Sequence, residues 1–347
     1  MPVVTTIPIK NASIKNDDLL KLLQQVSAER TLIAPVRDDR YEDVNFLPVA
    51  DAAQICLDYE NTTTSPKEFF FPQSECMFTF SGTSHATIEP GDISEDMVLF
   101  GIRSCDVSGI ELLDKFYERN FEDNYYLDKR KKSVLISLAC SQLNDQCFCT
   151  STQTGPVLEQ GFDIQLINAG DDYAVQIGSQ KGLEFFEKYQ AFFGPAADVD
   201  IHRMLEQAKQ AGLKFDLTKV YENLKDDRVD QQLWQDIASR CQSCGLCLFL
   251  CPTCSCYSVT DGARPAGENR RSRQWDACYF HGLTRMTGGH DPIRNDEEMV
   301  KRKYNHKLLQ QIDEFEMSGC TGCGRCNLCC VGNVNWLENI VKIERGG

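Results

Sequence analysis

Two cysteine runs in the C-terminal third decide what this part of the chain folds around: CQSCGLCLFLCP at residues 241–252 and CTGCGRCNLCC at residues 320–330. Each run has three cysteines separated by two residues and a fourth after three intervening residues. One tight loop of this spacing can wrap three corners of an iron–sulfur cube, while the fourth cysteine reaches the other cluster. The runs therefore predict two [4Fe–4S] clusters in a ferredoxin-like domain.

The crossed use of the fourth cysteine assigns the ligands. One cluster takes Cys241, Cys244, Cys247 and Cys330, and the other takes Cys320, Cys323, Cys326 and Cys251. Cys330 is followed by Val331 rather than by proline, and Cys329 stands beside it, but the spacing favours Cys330 as the ligand. A structural zinc site is the alternative, although it usually has two CxxC pairs.

The two runs are separated by a long insertion, residues 252–319, which carries Cys254, Cys256 and Cys278. We interpret these as structural thiols or as groups near a cluster. A further metal site in the insertion would need a fourth ligand, for which His281 and Cys329 are the nearby residues.

The rest of the chain predicts an α/β domain. Residues 17–28 have helical spacing, and short apolar runs at 31–36, 97–102 and 133–139 are typical of buried strands. A helical pattern at 107–117 separates the last two runs, which indicates a parallel βαβ unit. Helical spacing continues after residue 183 and includes Leu205 and Ala208. We predict an α+β protein: an α/β domain with a small, partly parallel sheet at residues 1–225, then a mainly helical two-cluster domain at residues 226–347.

Four more cysteines lie near the ends of the predicted strands: Cys105, Cys140, Cys147 and Cys149. Because the carboxyl ends of neighbouring parallel strands meet at one edge of a sheet, these thiols are expected to converge. We predict that they bind a third [4Fe–4S] cluster, with buried or redox-active thiols as the alternative. Asp106 is expected to cap the helix that follows, whereas Cys56 and Cys76 are interpreted as ordinary core cysteines.

Composition excludes several classes of function. The formal charge of −15 argues against non-specific nucleic-acid binding, and no run of apolar residues is long enough for a membrane span. The sequence has no GxGxxG or Walker motif, so we expect no NAD or flavin on this chain. With no signal peptide recognised and many clustered cysteines, we expect a cytoplasmic protein.

The order of several segments extends this interpretation. The segments are FFFPQSE at 69–75, FGIRSCD at 100–106, Cys140 with CFCTS at 147–151, GDDYAVQIGSQKG at 170–182, CQSCGLCLFLCPTCSC at 241–256, RQWDAC at 273–278, TGGH at 287–290 and GCTGCGRC at 319–326. With these segments in this order, the chain resembles the family of iron–sulfur electron-transfer proteins related to component A of anaerobic sulfite reductase and to the beta subunit of cytoplasmic sulfhydrogenases.

The resemblance implies an electron-transfer subunit of a multi-subunit oxidoreductase of anaerobic metabolism. Such a subunit relays electrons between a partner that binds FAD and NAD(P)H and a catalytic partner, which is a hydrogenase, a sulfite reductase or a heterodisulfide-reductase-like module. The alternative is that this chain is itself a reductase, acting on a small sulfur substrate at the N-terminal cluster. An open coordination position there would favour that alternative, and ligation by four cysteines would count against it.

Overall fold

A computed structural model describes residues 10–38, 43–81, 87–91, 95–141, 143–196, 212–263, 268–293 and 295–347. The strands are β1 (Lys10–Lys15), β2 (Thr31–Asp38), β3 (Asp43–Pro48), β4 (Ser74–Ser81), β5 (Thr87–Pro90), β6 (Met97–Ile102), β7 (Ser133–Leu138), β8 (Ile164–Asn168), β9 (Asp172–Ile177), β10 (Tyr257–Ala263) and β11 (Glu268–Trp275). The helical spacing predicted around Leu205 and Ala208 lies outside the described residues.

The α-helices of the described residues are α1 (Asn16–Glu29), α2 (Ser104–Glu118), α3 (Asn124–Lys131), α4 (Cys149–Thr152), α5 (Gln180–Lys188), α6 (Leu217–Lys225), α7 (Gln231–Arg240), α8 (Leu246–Phe249), α9 (His281–Thr284), α10 (Asp296–Asn305), α11 (Gln311–Phe315), α12 (Arg325–Leu328) and α13 (Trp336–Glu344). Short 3₁₀ turns occupy Ala52–Gln54, Pro66–Phe69 and Gln190–Phe192, and a π-helical turn at His306–Gln310 joins α10 to α11. None of these helices is long and apolar enough to cross a membrane.

The larger sheet has seven strands in the order β1-β9-β8-β7-β6-β2-β3. Its four central strands, β8, β7, β6 and β2, are parallel, and antiparallel strands flank them on both sides. The predicted βαβ unit is present, because β6 and β7 pair in parallel and α2 lies between them in the sequence.

The central strand β6 is apolar throughout because both faces of the sheet are covered. Along β6, Val98 and Phe100 belong to one core, which also contains α1 and α5, while Leu99 belongs to a second core with α2 and α3. Successive side chains of a strand point to opposite faces, so a strand buried on both sides has no polar alternation. The same arrangement brings the carboxyl ends of β6 and β7 to one edge.

A second sheet joins the two halves of the sequence. Its antiparallel order is β10-β11-β4-β5, so the hairpin formed by the insertion between the cysteine runs extends a hairpin from the N-terminal half. The proposed boundary at residue 225 stays a prediction, and this pairing crosses it. The structure as a whole is mixed α/β, and its C-terminal part contains strands as well as helices.

The C-terminal helices pack around three aromatic rings. Tyr304 stacks on Trp336 with ring centroids 4.0 Å apart and lies 5.4 Å from the ring of Trp234. These rings belong to a third core, which also includes Cys320 and, at its edge, Cys241, Cys247 and Cys326. The cysteine runs are therefore packed against the aromatic core of this region.

Candidate iron–sulfur centres

The two cysteine runs fold into the same local shape. Two residues after the first cysteine, Ser243 and Gly322 have left-handed backbone, with φ of 51° and 62°. Gly245 and Gly324 follow, each with φ of 75°, and each begins a single helical turn, α8 or α12. The amides of Ser243 and Gly322 donate to the sulfur of the cysteine two residues before. Amides directed at sulfur stabilise thiolates and the anionic cluster that they would hold.

The first run and part of the second line one space, here called the C-terminal cavity, of about 530 Å³ including its mouth. Its cysteines are Cys241, Cys244, Cys247, Cys326, Cys329 and Cys330. The Val334 amide donates to the Cys330 sulfur at 3.2 Å, whereas the Cys329 thiol donates to a backbone carbonyl. A cysteine that ligates iron is a thiolate, which accepts hydrogen bonds and has no proton to donate. These contacts therefore favour Cys330 over Cys329 as the fourth ligand.

The other predicted ligand set centres on Cys320. The indole Nε1 of Trp336 donates to its sulfur at 3.4 Å. Burial raises the pKa of Cys320 to about 11, and the charge of the neighbouring Cys251 adds to the rise. Burial likewise raises the pKa of Cys323, where Cys251 again contributes. Cys251 thus lies beside the second run although it ends the first, as the crossed assignment expects.

The four N-terminal cysteines line a common space, here called the N-terminal cavity, of about 280 Å³ including its mouth. Cys105 is in the first turn of α2, directly after β6, and Cys140 follows β7, while Cys147 lies in the next loop and Cys149 begins α4. Burial raises the pKa of Cys105 and Cys149, and raises that of Cys147 to about 11. Thiols with such pKa values become thiolates when a metal centre supplies positive charge.

The second run packs directly on the N-terminal cavity. Cys323 lines that cavity, and the Phe148 amide donates to the Gly322 carbonyl at 2.8 Å. A Cβ added to Gly322 would lie 2.5 Å from the backbone nitrogen of Cys149, and one added to Gly324 would lie 2.8 Å from the carbonyl oxygen of Gln146. Only glycine fits this contact, because both positions also have positive φ.

Comparisons with known proteins show the family of this chain. Residues 240–334 match the family described as a 4Fe-4S dicluster domain. The sulfhydrogenase 2 subunit beta of Pyrococcus furiosus is 32% identical to this chain over 322 residues, covering 90% of this chain and 92% of that protein. The chain belongs to the sulfhydrogenase beta-subunit family. The resemblance inferred from the sequence segments is thereby confirmed.

A solved structure gives a more distant likeness to this sulfhydrogenase-type subunit. It is a chain of the xenon-derivatised F420-reducing [NiFe] hydrogenase complex of Methanosarcina barkeri, with 11% identity and a TM-score of 0.38. The match covers 60% of this chain and 90% of that one. A likeness this distant does not define the fold.

A buried ion pair connects the second cysteine run to the helix that carries Cys105. Arg325, within the second run, donates to both carboxylate oxygens of Asp106, at 2.6 and 2.9 Å. It also donates to the carbonyl of Thr62 and to the side chain of Asn61. The prediction that Asp106 caps α2 was wrong, because Arg103 is the N-cap residue, without a side-chain cap, and the Asp106 carboxylate is occupied by Arg325.

Sequence reasoning also missed three buried lysines near the cysteines: Lys67, Lys303 and Lys307. Lys303 lies over the Trp336 ring and lines the C-terminal cavity. Lys307 donates to Thr253 at 2.6 Å and to the Gly319 carbonyl at 3.0 Å. Among the described residues none of the three has an ion pair with a carboxylate. Since a buried ammonium needs a compensating charge, the cysteine sites fit an anionic occupant. The feature of the sequence that could have indicated these lysines is the four-residue spacing of Lys303 and Lys307, which places two side chains on the same face of a helix.

Cys56 and Cys76 lie apart from the other cysteines. The Cys56 thiol donates to the Asp58 carbonyl at 3.1 Å, and Cys76 is part of β4 in the second sheet. Both are half-buried rather than in the core, because their segments run at the surface. Within the described part of the chain, no three cysteine, histidine or acidic side chains meet in a way that would hold a single metal ion.

Proposed function

We propose that this chain is an electron-transfer subunit of a multi-subunit oxidoreductase. One [4Fe–4S] cluster is held by Cys241, Cys244, Cys247 and Cys330, and a second by Cys320, Cys323, Cys326 and Cys251. A third is held by Cys105, Cys140, Cys147 and Cys149. The chain relays electrons between a partner that binds FAD and NAD(P)H and a catalytic partner.

The position of the second cysteine run carries this proposal. Cys323 lines the N-terminal cavity, and Cys326, three residues later, lines the C-terminal cavity. The same eleven-residue run, 320–330, is thus a shared wall of both cavities. An electron relay requires that successive clusters lie close together. A stretch of chain that lines both cavities supports such an arrangement.

Each bound cluster would supply one-electron chemistry, which links a two-electron flavin to a distant site. The protein's own residues set the conditions. The amides of Ser243 and Gly322 donate to the cysteine sulfurs, and Trp336 donates to Cys320. Lys303 and Lys307 add buried positive charge, which favours thiolates and the more negative, reduced state.

The relatives support a partner of the hydrogenase type. The P. furiosus relative bears the name of a sulfhydrogenase component and shares nearly its whole length with this chain. We therefore rank a hydrogenase first as the catalytic partner, ahead of a sulfite reductase or a heterodisulfide-reductase-like module. The lack of a dinucleotide fingerprint in the sequence supports a separate flavin and nucleotide partner.

The test begins with anaerobic purification of the tagged chain from its own organism, together with its bound partner proteins. We expect a flavoprotein and a redox enzyme to co-purify. In the complex, NAD(P)H should reduce the clusters, and EPR spectroscopy measures this reduction. The isolated chain should remain oxidised with NAD(P)H and become reduced with dithionite.

Two results would overturn the proposal. Reduction of the isolated chain by NAD(P)H would place the nucleotide site on this chain. Turnover of a small sulfur compound by the dithionite-reduced chain alone would favour the catalytic alternative at the N-terminal cluster. The presence of four cysteines around the N-terminal cavity weighs against that alternative, because it leaves no iron without a thiolate.

A further inference from the structure

The insertion between the runs creates a third cysteine-lined space that the three proposed clusters do not use. β10 begins at Tyr257 and β11 ends at Trp275, and these two residues are paired. The strand ends therefore bring Cys256 beside Asp276, whose amide donates to the Cys256 carbonyl at 3.0 Å. Cys278 follows two residues later.

Cys254 completes the group from the other side. Its amide donates to the carbonyl of Cys251, and its own carbonyl accepts from the buried Nζ of Lys67 at 2.9 Å. Cys254, Cys256 and Cys278 line one space, here called the insertion cavity, of about 360 Å³ including its mouth. By the same measure it is larger than the N-terminal cavity and smaller than the C-terminal one.

The fourth ligands considered from sequence do not reach this cavity. The side chain of His281 is 80% exposed and faces Asp291, and Cys329 lines the C-terminal cavity instead. The histidine that lines the insertion cavity is His306. It begins the π-helical turn His306–Gln310, a rare conformation that is frequent at functional sites.

The charges around the cavity call for an anion. Lys303 and Lys307 line it, and Lys67 contacts the Cys254 backbone. All three are buried, and in the described ranges none forms an ion pair with a carboxylate. Asp276 also lines the cavity, and its carboxylate, which accepts from the Ala277 amide, supplies one negative charge. With neutral thiols this one charge is less than the three ammonium charges, whereas a thiolate-bound cluster is anionic.

From these observations we propose that the insertion cavity binds a further [4Fe–4S] cluster. Cys254, Cys256 and Cys278 are its thiolate ligands, and His306 is the donor for the fourth iron. Lys303 lines both this cavity and the C-terminal cavity, so the cluster would extend the relay at the side of the first cysteine run. The site adds to the proposed three clusters and does not depend on which partners the protein has.

The test compares iron, acid-labile sulfide and EPR spectra of anaerobically purified proteins. The triple variant Cys254→Ser, Cys256→Ser, Cys278→Ser should lose about four irons and four sulfides relative to wild type. The matched control Cys56→Ser changes a cysteine outside all three cavities and should lose none. A triple variant with the full iron and sulfide content would overturn the proposal, while leaving the relay through the other clusters intact.

A second measurement uses the unaltered protein and does not depend on the folding of a variant. Thiol alkylation followed by peptide mass spectrometry should find Cys254, Cys256 and Cys278 protected in the iron-loaded protein and labelled after iron is removed. Labelling in the loaded protein, or a disulfide between Cys256 and Cys278 there, would overturn the cluster.

The substitution His306→Ala tests the fourth donor. It leaves all three thiolates, so we expect iron to be largely kept and one EPR signal to change. An unchanged spectrum would remove His306 from the ligand set.

Discussion

The C-terminal and N-terminal cavities gather cysteines in two different ways. The C-terminal cavity takes its cysteines from two short runs, each of which curls through left-handed residues into one helical turn. The N-terminal cavity takes its cysteines from the ends of two parallel strands and the loop after them. The first kind of site is encoded in local spacing, and the second only in the topology of the sheet. The two should therefore respond differently to substitution.

The largest effect is expected where the site is part of the local fold. Replacing Cys320, Cys323 and Cys326 by serine removes the shared wall of both cavities and should cost the protein most of its iron. Metal binding and folding are coupled in such sites, so the region around Trp336 should also lose its packing. Iron analysis and near-UV circular dichroism measure the two effects. Loss of only about four irons would mean that the other clusters do not depend on this run, and retention of the full iron content would contradict the ligand assignment.

The N-terminal site should be separable from the C-terminal one. The quadruple variant Cys105→Ser, Cys140→Ser, Cys147→Ser, Cys149→Ser should lose about four irons. The sheet has an apolar core of its own, so it should stay folded without this cluster. The coupled EPR signals of the C-terminal pair should therefore remain. A quadruple variant with its full iron content would end the idea of an N-terminal cluster, and Cys56→Ser serves again as the control.

The contact between the two regions depends on the buried pair of Arg325 and Asp106. We expect Asp106→Asn to lower the free energy of unfolding by about 3–5 kcal/mol, because the arginine is left buried without its counter-charge. Anaerobic denaturant unfolding followed by circular dichroism measures it. The matched control Asp261→Asn breaks an exposed pair with Arg271 and should change stability little. Equal effects in the two variants would show that the buried pair does not lock the regions together.

The same two regions differ in how much of them the sequence could predict. β6 was predicted at 97–102 and is found there, because a strand buried on both faces is a continuous apolar run. The pairing of β4 with β11 was not predicted, since no local pattern reports a partner from another part of the chain. Arg325 and Asp106 are 219 positions apart, so their pairing was equally invisible, and Asp106 was given a local capping role instead.

A smaller effect is expected from the close approach of the second run to the N-terminal cavity. Gly322→Ala puts a methyl group against the Cys149 backbone. Gly170→Ala, also at a positive φ, meets nothing within 4 Å. Both substitutions strain the backbone, so the difference between their losses of unfolding free energy isolates the cost of the steric overlap at Gly322. This difference should be about 1–3 kcal/mol. A difference near zero would mean that the two regions do not need this contact.

The smallest expected change is in the reduction potential, without loss of iron. Lys303 is a buried cation lining the C-terminal cavity, and a positive charge there stabilises the more negative, reduced state of a bound cluster. Lys303→Met should therefore shift the potential of the C-terminal clusters to more negative values in an EPR-monitored redox titration. Lys303→Arg keeps the charge and should keep the potential close to that of the wild type. Lys301→Met, on the same helix but paired with Asp227 at the surface, should have little effect. A shift of equal size in the Lys301 variant would mean that the potential follows the overall charge of the protein and not the buried lysine at the cavity wall.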